Sequence, residues 1–121
     1  MDNSDDKSLL DLEIVASLKA LGGDDDPELF ADLVSMFMDD TPARLQAMDE
    51  ALSAGDSEAL SRVAHALKSS CGNLGAFSLA ELCRAIESAG RGGDVDGARP
   101  LVEQSKTQYE RVRTALEAEL A

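Results

Sequence analysis

Apolar side chains recur along this chain at intervals of three and four residues, and no segment replaces that spacing with an apolar–polar alternation of period two. From Phe30 the spacing runs through Val34, Phe37, Thr41, Leu45, Met48 and Leu52, straight across Pro42. It predicts one helix to about Ala54, bent rather than ended by a proline that removes a single hydrogen bond. Leu60, Val63, Ala64, Leu67, Cys71 and Leu74 form a second apolar arc, and Leu79, Leu82, Cys83 and Ile86 a third. A fourth comprises Val95, Ala98, Leu101, Val102, Tyr109, Val112, Leu116 and Leu120. Ahead of them a shorter helix is expected from about Ser8 to Leu21, burying Leu9, Leu12, Ile14, Val15 and Leu18.

The punctuation between these arcs agrees with helices. Gly22-Gly23 should end the first, and Asp26 as N-cap with Pro27 at the first helical position should start the second. Gly55 then serves as a stop and Asp56 as the next cap, while the third helix ends near Leu74-Gly75. Ser78-Leu79-Ala80-Glu81 has capping-box form, Gly90 to Gly93 closes the fourth helix, and Asp94 caps the fifth, with Pro100 in its first turns. Four long helices joined by short turns predict an all-α fold. It is an antiparallel up-and-down four-helix bundle with an additional short N-terminal helix across one end. Residues 1–7 are expected to be a flexible acidic N-terminus and 8–121 the bundle domain. A chain of 121 residues holds one core, with no room for a kinase catalytic domain beside it.

Charge narrows the partners. With 24 acidic against 11 basic residues the formal charge is -13, which repels nucleic acid and anionic membrane surfaces. Most of that acidity reads as solubility of exposed helix faces. The N-terminal residues lack a basic, then apolar leader, and no apolar run is long enough to span a membrane, so a cytoplasmic protein is expected. Cys71 and Cys83 lack metal-ligand spacing and should lie near each other in the core as thiols, which fits a reducing compartment.

His65 is the one histidine of the chain. Projected at about 100° per residue it falls on the polar side of the third helix, far from the Leu60–Leu74 arc, so it should face solvent. Ser61, Arg62, Lys68, Ser69 and Gly72 share that face. Three very small side chains leave room for another protein's surface, and Lys68 can neutralise an anion that the ring nitrogen accepts. A surface histidine with chance neighbours is the plainer reading of such a position; the small side chains and Lys68 together favour a phosphoryl carrier.

The run His65-Ala66-Leu67-Lys68-Ser69-Ser70-Cys71-Gly72-Asn73-Leu74-Gly75-Ala76 resembles the histidine-containing phosphotransfer (HPt) domains of multistep phosphorelays. Their motif is approximately His-x-Leu-Lys-Gly-Ser-[Ser/Ala]-x-x-x-Gly, matched here at His65, Leu67, Lys68, Ser70, Gly75 and Ala76. Leu82, Cys83, Ile86 and Glu87 match a second pattern on the next helix, and Pro42 and the Ala54-Gly55-Asp56 turn also look like the family. Ser69 departs from it, standing where glycine is usual, and could alter a partner's closest approach. The resemblance implies that His65 takes a phosphoryl group from a receiver-domain aspartate of a hybrid histidine kinase and passes it, reversibly, to a response-regulator aspartate. Receiver domains are the partners so implied. No cofactor is expected on this chain, and Mg²⁺ is expected on the receiver. A short bundle of this kind is expected to be a monomer.

Within that chemistry Lys68 is expected to stabilise phosphoryl charge, and Ser69 or Ser61 to donate hydrogen bonds to it. Arg62 would meet the partner's acidic surface. Glu87 matches a family position that can face the histidine, but a solvent-facing charge is an equal expectation for it. Met36 and Met38 are candidates for a greasy docking patch, although methionine at helical spacing is more often core. Three rival classes remain. A histidine-kinase dimerisation domain would place an acidic residue after the histidine and a proline soon downstream, whereas Ala66 follows and the next proline is Pro100. A hydrolase would need a nucleophile and an orienting carboxylate, and positions 61, 62, 68 and 69 carry no Asp or Glu. An acidic helical interaction module with no phosphotransfer role is compatible with composition alone.

Overall fold

The computed structural model describes residues 9–120, which contain five helices and no strand. They are α1 (Leu12–Gly22), α2 (Leu29–Ala54), α3 (Ser57–Leu74), α4 (Phe77–Arg91) and α5 (Val95–Leu120). The turns at 55–56, 75–76 and 92–94 are so short that successive helices must run antiparallel. α2 packs on α3, α3 on α4, α4 on α5 and α5 back on α2, which closes the four-helix bundle. α1 lies against α2 and α3 at the end where α3 stops and α4 begins. Its N-terminal Asp11 donates its N–H to Gly75 O at 2.7 Å, and Lys19 reaches Glu119 of α5 at 2.9 Å. Gly75 adopts φ 76°, and a Cβ there would meet Asp11 O at 2.9 Å, so glycine permits both the turn and the seating of α1.

The apolar spacing locates the core. All seven positions read across Pro42, from Phe30 to Leu52, are buried, as are Leu60, Ala64, Leu67, Cys71 and Leu74 of α3. Leu79, Cys83 and Ile86 of α4 and Ala98, Val102, Tyr109, Val112 and Leu116 of α5 complete it. α2 continues through Pro42 as one helix. Proline leaves Met38 O without its usual N–H donor, and the buried Tyr109 hydroxyl of α5 donates to that carbonyl across a long 3.4 Å contact. Burial pushes the Tyr109 phenol up, so it stays protonated and able to donate.

Several boundaries differ from the sequence expectation. α1 is capped by Asp11, whose carboxylate accepts from Glu13 N and Ile14 N, instead of starting near Ser8; Ser8 and the expected flexible segment 1–7 lie outside the described residues. Asp26 does not cap α2. Its N–H goes back to Gly22 O and its carbonyl accepts from Leu29 N, so 24–28 form a turn and the helix starts one residue after Glu28. Ser78 is likewise no cap: α4 already begins at Phe77, and the Ser78 hydroxyl donates to Leu9 O while accepting from Gln108. In both cases a tertiary or neighbouring-turn bond displaces a local capping pattern. Leu12 (54% exposed), in the first turn of α1, and Leu120, in the last turn of α5, face solvent, and Ile14, Leu18, Val63, Leu82, Val95 and Leu101 are half-buried.

Candidate functional site

α3 stands between α2 and α4, and its outward ridge carries His65, whose side chain is 58% exposed. Asp56 caps the helix by accepting from Ala59 N at 3.0 Å, and Gly75 stops it, so the histidine sits in mid-helix on a fixed backbone. Such an element positions a side chain more tightly than a loop does.

The neighbouring helix supplies what α3 lacks. Glu87 of α4 follows Cys83 by one turn and lies on the buried arc, with its side chain only 4% exposed. The expectation of a solvent-facing charge is overturned. A buried carboxylate is stable only with partners, and Glu87 has three. Oε2 meets His65 Nδ1 at 2.9 Å and an Arg91 nitrogen at 2.7 Å, while Oε1 accepts from Lys68 Nζ at 2.7 Å. The Lys68 hydrogen bond, followed by those of His65 and the charges around them, holds the Glu87 carboxyl below the ordinary value of 4.5, against the upward push of burial. It is therefore ionised at neutral pH and can only accept hydrogen bonds. The proton of a neutral His65 ring consequently sits on Nδ1, and the lone pair sits on Nε2.

Close helix packing makes this reach achievable. A Cβ on Gly90 would stand 2.8 Å from Ser57 O and 3.0 Å from Ser61 Cβ, so the absence of a side chain lets α4 approach α3 beside the Glu87 cluster. Gly72, on the His65 face, is different: a Cβ there would meet nothing within 4 Å. The fold itself does not require that glycine.

The remaining sequence candidates separate. Lys68 joins the cluster through Glu87. Ser69 donates its hydroxyl to His65 O at 3.2 Å and so is satisfied within its own helix. Arg62 pairs with Glu58 one turn back, and Ser61 stands at the Gly90 seam. Met36 is 60% exposed on α2, whereas Met38 is half-buried. Cys71 and Cys83 are fully buried free thiols that touch each other, and their hydrogen bond together with burial raises Cys71 well above an ordinary thiol. Sequence reading missed Arg91, although it stands one helical turn beyond Glu87. It also missed Arg44 of α2, whose Nη1 donates to Ser70 at 2.6 Å and to Ala66 O at 3.5 Å.

An orienting carboxylate for His65 thus exists, from α4 and not at helical spacing on α3, yet the nearby Ser69 hydroxyl is turned to a carbonyl and not toward the ring. A hydrolytic dyad lacks its nucleophile there. Among the described residues no cluster of three or more His, Cys, Asp or Glu side chains could hold a metal ion, and no helix is long and apolar enough to cross a membrane.

Comparison with known proteins agrees with this arrangement. The model of the Hpt domain family matches residues 32–117. The fold superposes on histidine-containing phosphotransfer protein B (HptB) of Pseudomonas aeruginosa with a TM-score of 0.84 and 34% sequence identity, over 92% of this chain and 93% of that one. The Medicago truncatula phosphotransfer protein MtHPt2 (TM-score 0.84, 22% identity, 94% of this chain and 78% of that one) shares the fold. So does a histidine-containing phosphotransfer protein from rice (0.83, 20%, 94% and 82%). A search of the curated proteins finds no match. A bundle with this family signature over most of its length, and 34% identity to HptB across nearly all of it, belongs to the Hpt domain family.

Proposed function

We propose that this chain is a monomeric cytoplasmic phosphorelay intermediate, with His65 as the residue that carries the phosphoryl group between receiver aspartates. The observation that supports it most is the exposed ring whose Nδ1–H is held by a buried, ionised Glu87. In the forward step the Nε2 lone pair attacks phosphorus of an aspartyl phosphate. The N–P bond forms as the P–O bond to the aspartate breaks, and that carboxylate leaves with the bond's electron pair. The ring then carries positive charge, which Glu87 offsets through Nδ1–H, and no base is needed. Transfer to a second receiver reverses each change. Mg²⁺ belongs to the receiver, where it would neutralise the phosphoryl oxygens.

Lys68 is poised beside this path. Its ammonium lies one turn from His65 and is held by Glu87 until a phosphoryl group offers a second anion. Lys68→Ala is expected to slow transfer by roughly tenfold or more, since one electrostatic contact of this kind is worth at least ~1.4 kcal/mol. Stopped-flow or quenched transfer from a phosphorylated receiver measures it, and an unchanged rate would remove Lys68 from the mechanism.

Gly72 gives a test with two opposite signs. Glycine in a helix costs about 0.5–1 kcal/mol relative to alanine, and nothing in the fold opposes a methyl group at this position. Gly72→Ala should therefore raise the melting temperature while slowing transfer, because the methyl group stands on the face that the receiver must approach. A variant both more stable and equally fast would show that the partner docks elsewhere. The overall reading is tested by label passing from a phosphorylated receiver to the wild-type chain and not to a chain lacking His65.

A further inference from the structure

Arg44 is out of place in the charge plan of this protein. Acidic residues outnumber basic ones by more than two to one, and the described cations find carboxylates readily. Lys19, Arg62, Lys68, Arg84, Arg91, Arg99, Lys106 and Arg113 each hold an Asp or Glu. Arg44 holds none: its two partners are the Ser70 hydroxyl and the Ala66 carbonyl, both neutral. Both bonds use Nη1, so the Nε–Nη2 edge of the guanidinium has no partner among the described residues. That edge is the one that grips a carboxylate bidentately.

Its location is as telling as its state. Ala66 follows His65 directly and Ser70 is on the next turn, so the guanidinium lies over the α2–α3 seam. Glu87 and its cations flank α3 on the α4 side, and Arg44 flanks it on the α2 side. On the first flank the positive charge is shared with a buried carboxylate, while on the second it is uncompensated and half-buried. A partly desolvated cation without a counter-ion is costly in isolation and is relieved by an anion that arrives from outside. The sequence expectation had given the partner's acidic surface to Arg62, but Glu58 already neutralises that side chain.

Resting on the phosphorelay reading above, we infer that Arg44 is the residue that reads the docking receiver, taking a carboxylate from the rim of that domain at the α2–α3 seam. It governs which receivers bind well and leaves the phosphoryl group to His65 and Lys68. Ser70 holds the guanidinium through Nη1, which leaves the Nε–Nη2 edge for that carboxylate.

The experiment is single-turnover transfer to this chain from a response-regulator receiver domain charged with acetyl phosphate, over a range of receiver concentrations and at low and high salt. Wild type is compared with Arg44→Gln, Arg44→Lys and His65→Gln. For Arg44→Gln the half-saturating receiver concentration should rise roughly tenfold, with a shallower salt dependence and the same limiting rate. Arg44→Lys should recover part of the loss, because charge returns without the bidentate edge. Half-saturation and salt dependence equal to wild type in a folded Arg44→Gln would overturn the inference. So would a fall confined to the limiting rate, which would place the guanidinium on the phosphoryl group. Calorimetric binding of the unphosphorylated receiver repeats the test with no transfer step. A His65→Gln chain that labels like wild type would instead remove the phosphorelay reading, leaving the Arg44 binding result to stand or fall separately.

Discussion

A His65→Gln chain is expected to take up no label from a phosphorylated receiver, whereas wild type acquires an acid-labile, base-stable adduct. The effect should be complete, because glutamine has no lone pair able to displace a carboxylate from phosphorus, and no other described imidazole can substitute. Stability should change little. The ring is more than half exposed, the glutamine side chain fits the same helical position, and its amide can donate to Glu87 in place of Nδ1–H. Loss of label at an unchanged melting temperature therefore assigns the chemistry to the imidazole. Equal labelling of the two chains would mean that another residue carries the group, or that the bundle only binds its partners.

The second large effect is expected at Glu87. Glu87→Gln preserves shape but removes the charge that Lys68, Arg91 and the His65 Nδ1–H share, and it turns an amide N–H₂ toward either Lys68 or Arg91. The positive ring formed during transfer then loses its counter-charge, and the rate should fall by roughly ten- to a hundredfold. The same carboxylate should also leave a pH signature in stability. Its pKa is lowered in the folded chain, chiefly by Lys68, from an ordinary value of 4.5. A lowered carboxylate pKa means that the unfolded chain binds the proton more readily, so stability from this group is fully present above about 4.5. It is lost as pH falls through the lower folded value. The gap in melting temperature between wild type and Glu87→Gln should accordingly be widest at neutral pH and close on acidification. A gap independent of pH, with transfer as fast as wild type, would leave Glu87 without the role assigned to it.

How much of this was visible in the chain depends on which interactions set each feature. Helix number, order and core followed from the period of the apolar residues, because burial of one stripe is a property of each helix alone, as Phe30 to Leu52 illustrates. Helix starts were read less well. Asp26 and Ser78 have the chemistry of caps, but the backbone around Gly22 and the carbonyl of Leu9 engage them first. Glu87 shows the limit most clearly. Leu79, Cys83, Ile86 and Gly90 bracket it on one arc, so its position was legible as buried; its charge argued against that position. Only the approach of α3, with Lys68 and His65 facing it, makes a buried carboxylate stable, and such a pairing between helices has no signature within either one. Arg44 is the same problem in reverse, since what distinguishes it is the carboxylate it lacks.

The shared carboxylate has an electrical consequence for a carrier that must be recognised both empty and loaded. Lys68 and Arg91 against Glu87 give this cluster one net formal positive charge on a chain that is otherwise acidic. On the phosphorelay reading, loading brings roughly two negative charges on the phosphoryl group and one positive charge on the ring, so this cluster would pass from net positive to about neutral. The empty cluster would then favour an anionic donor, and loading would weaken that pull. The charge of one patch, set by a single buried acid, becomes the record of whether the message is aboard.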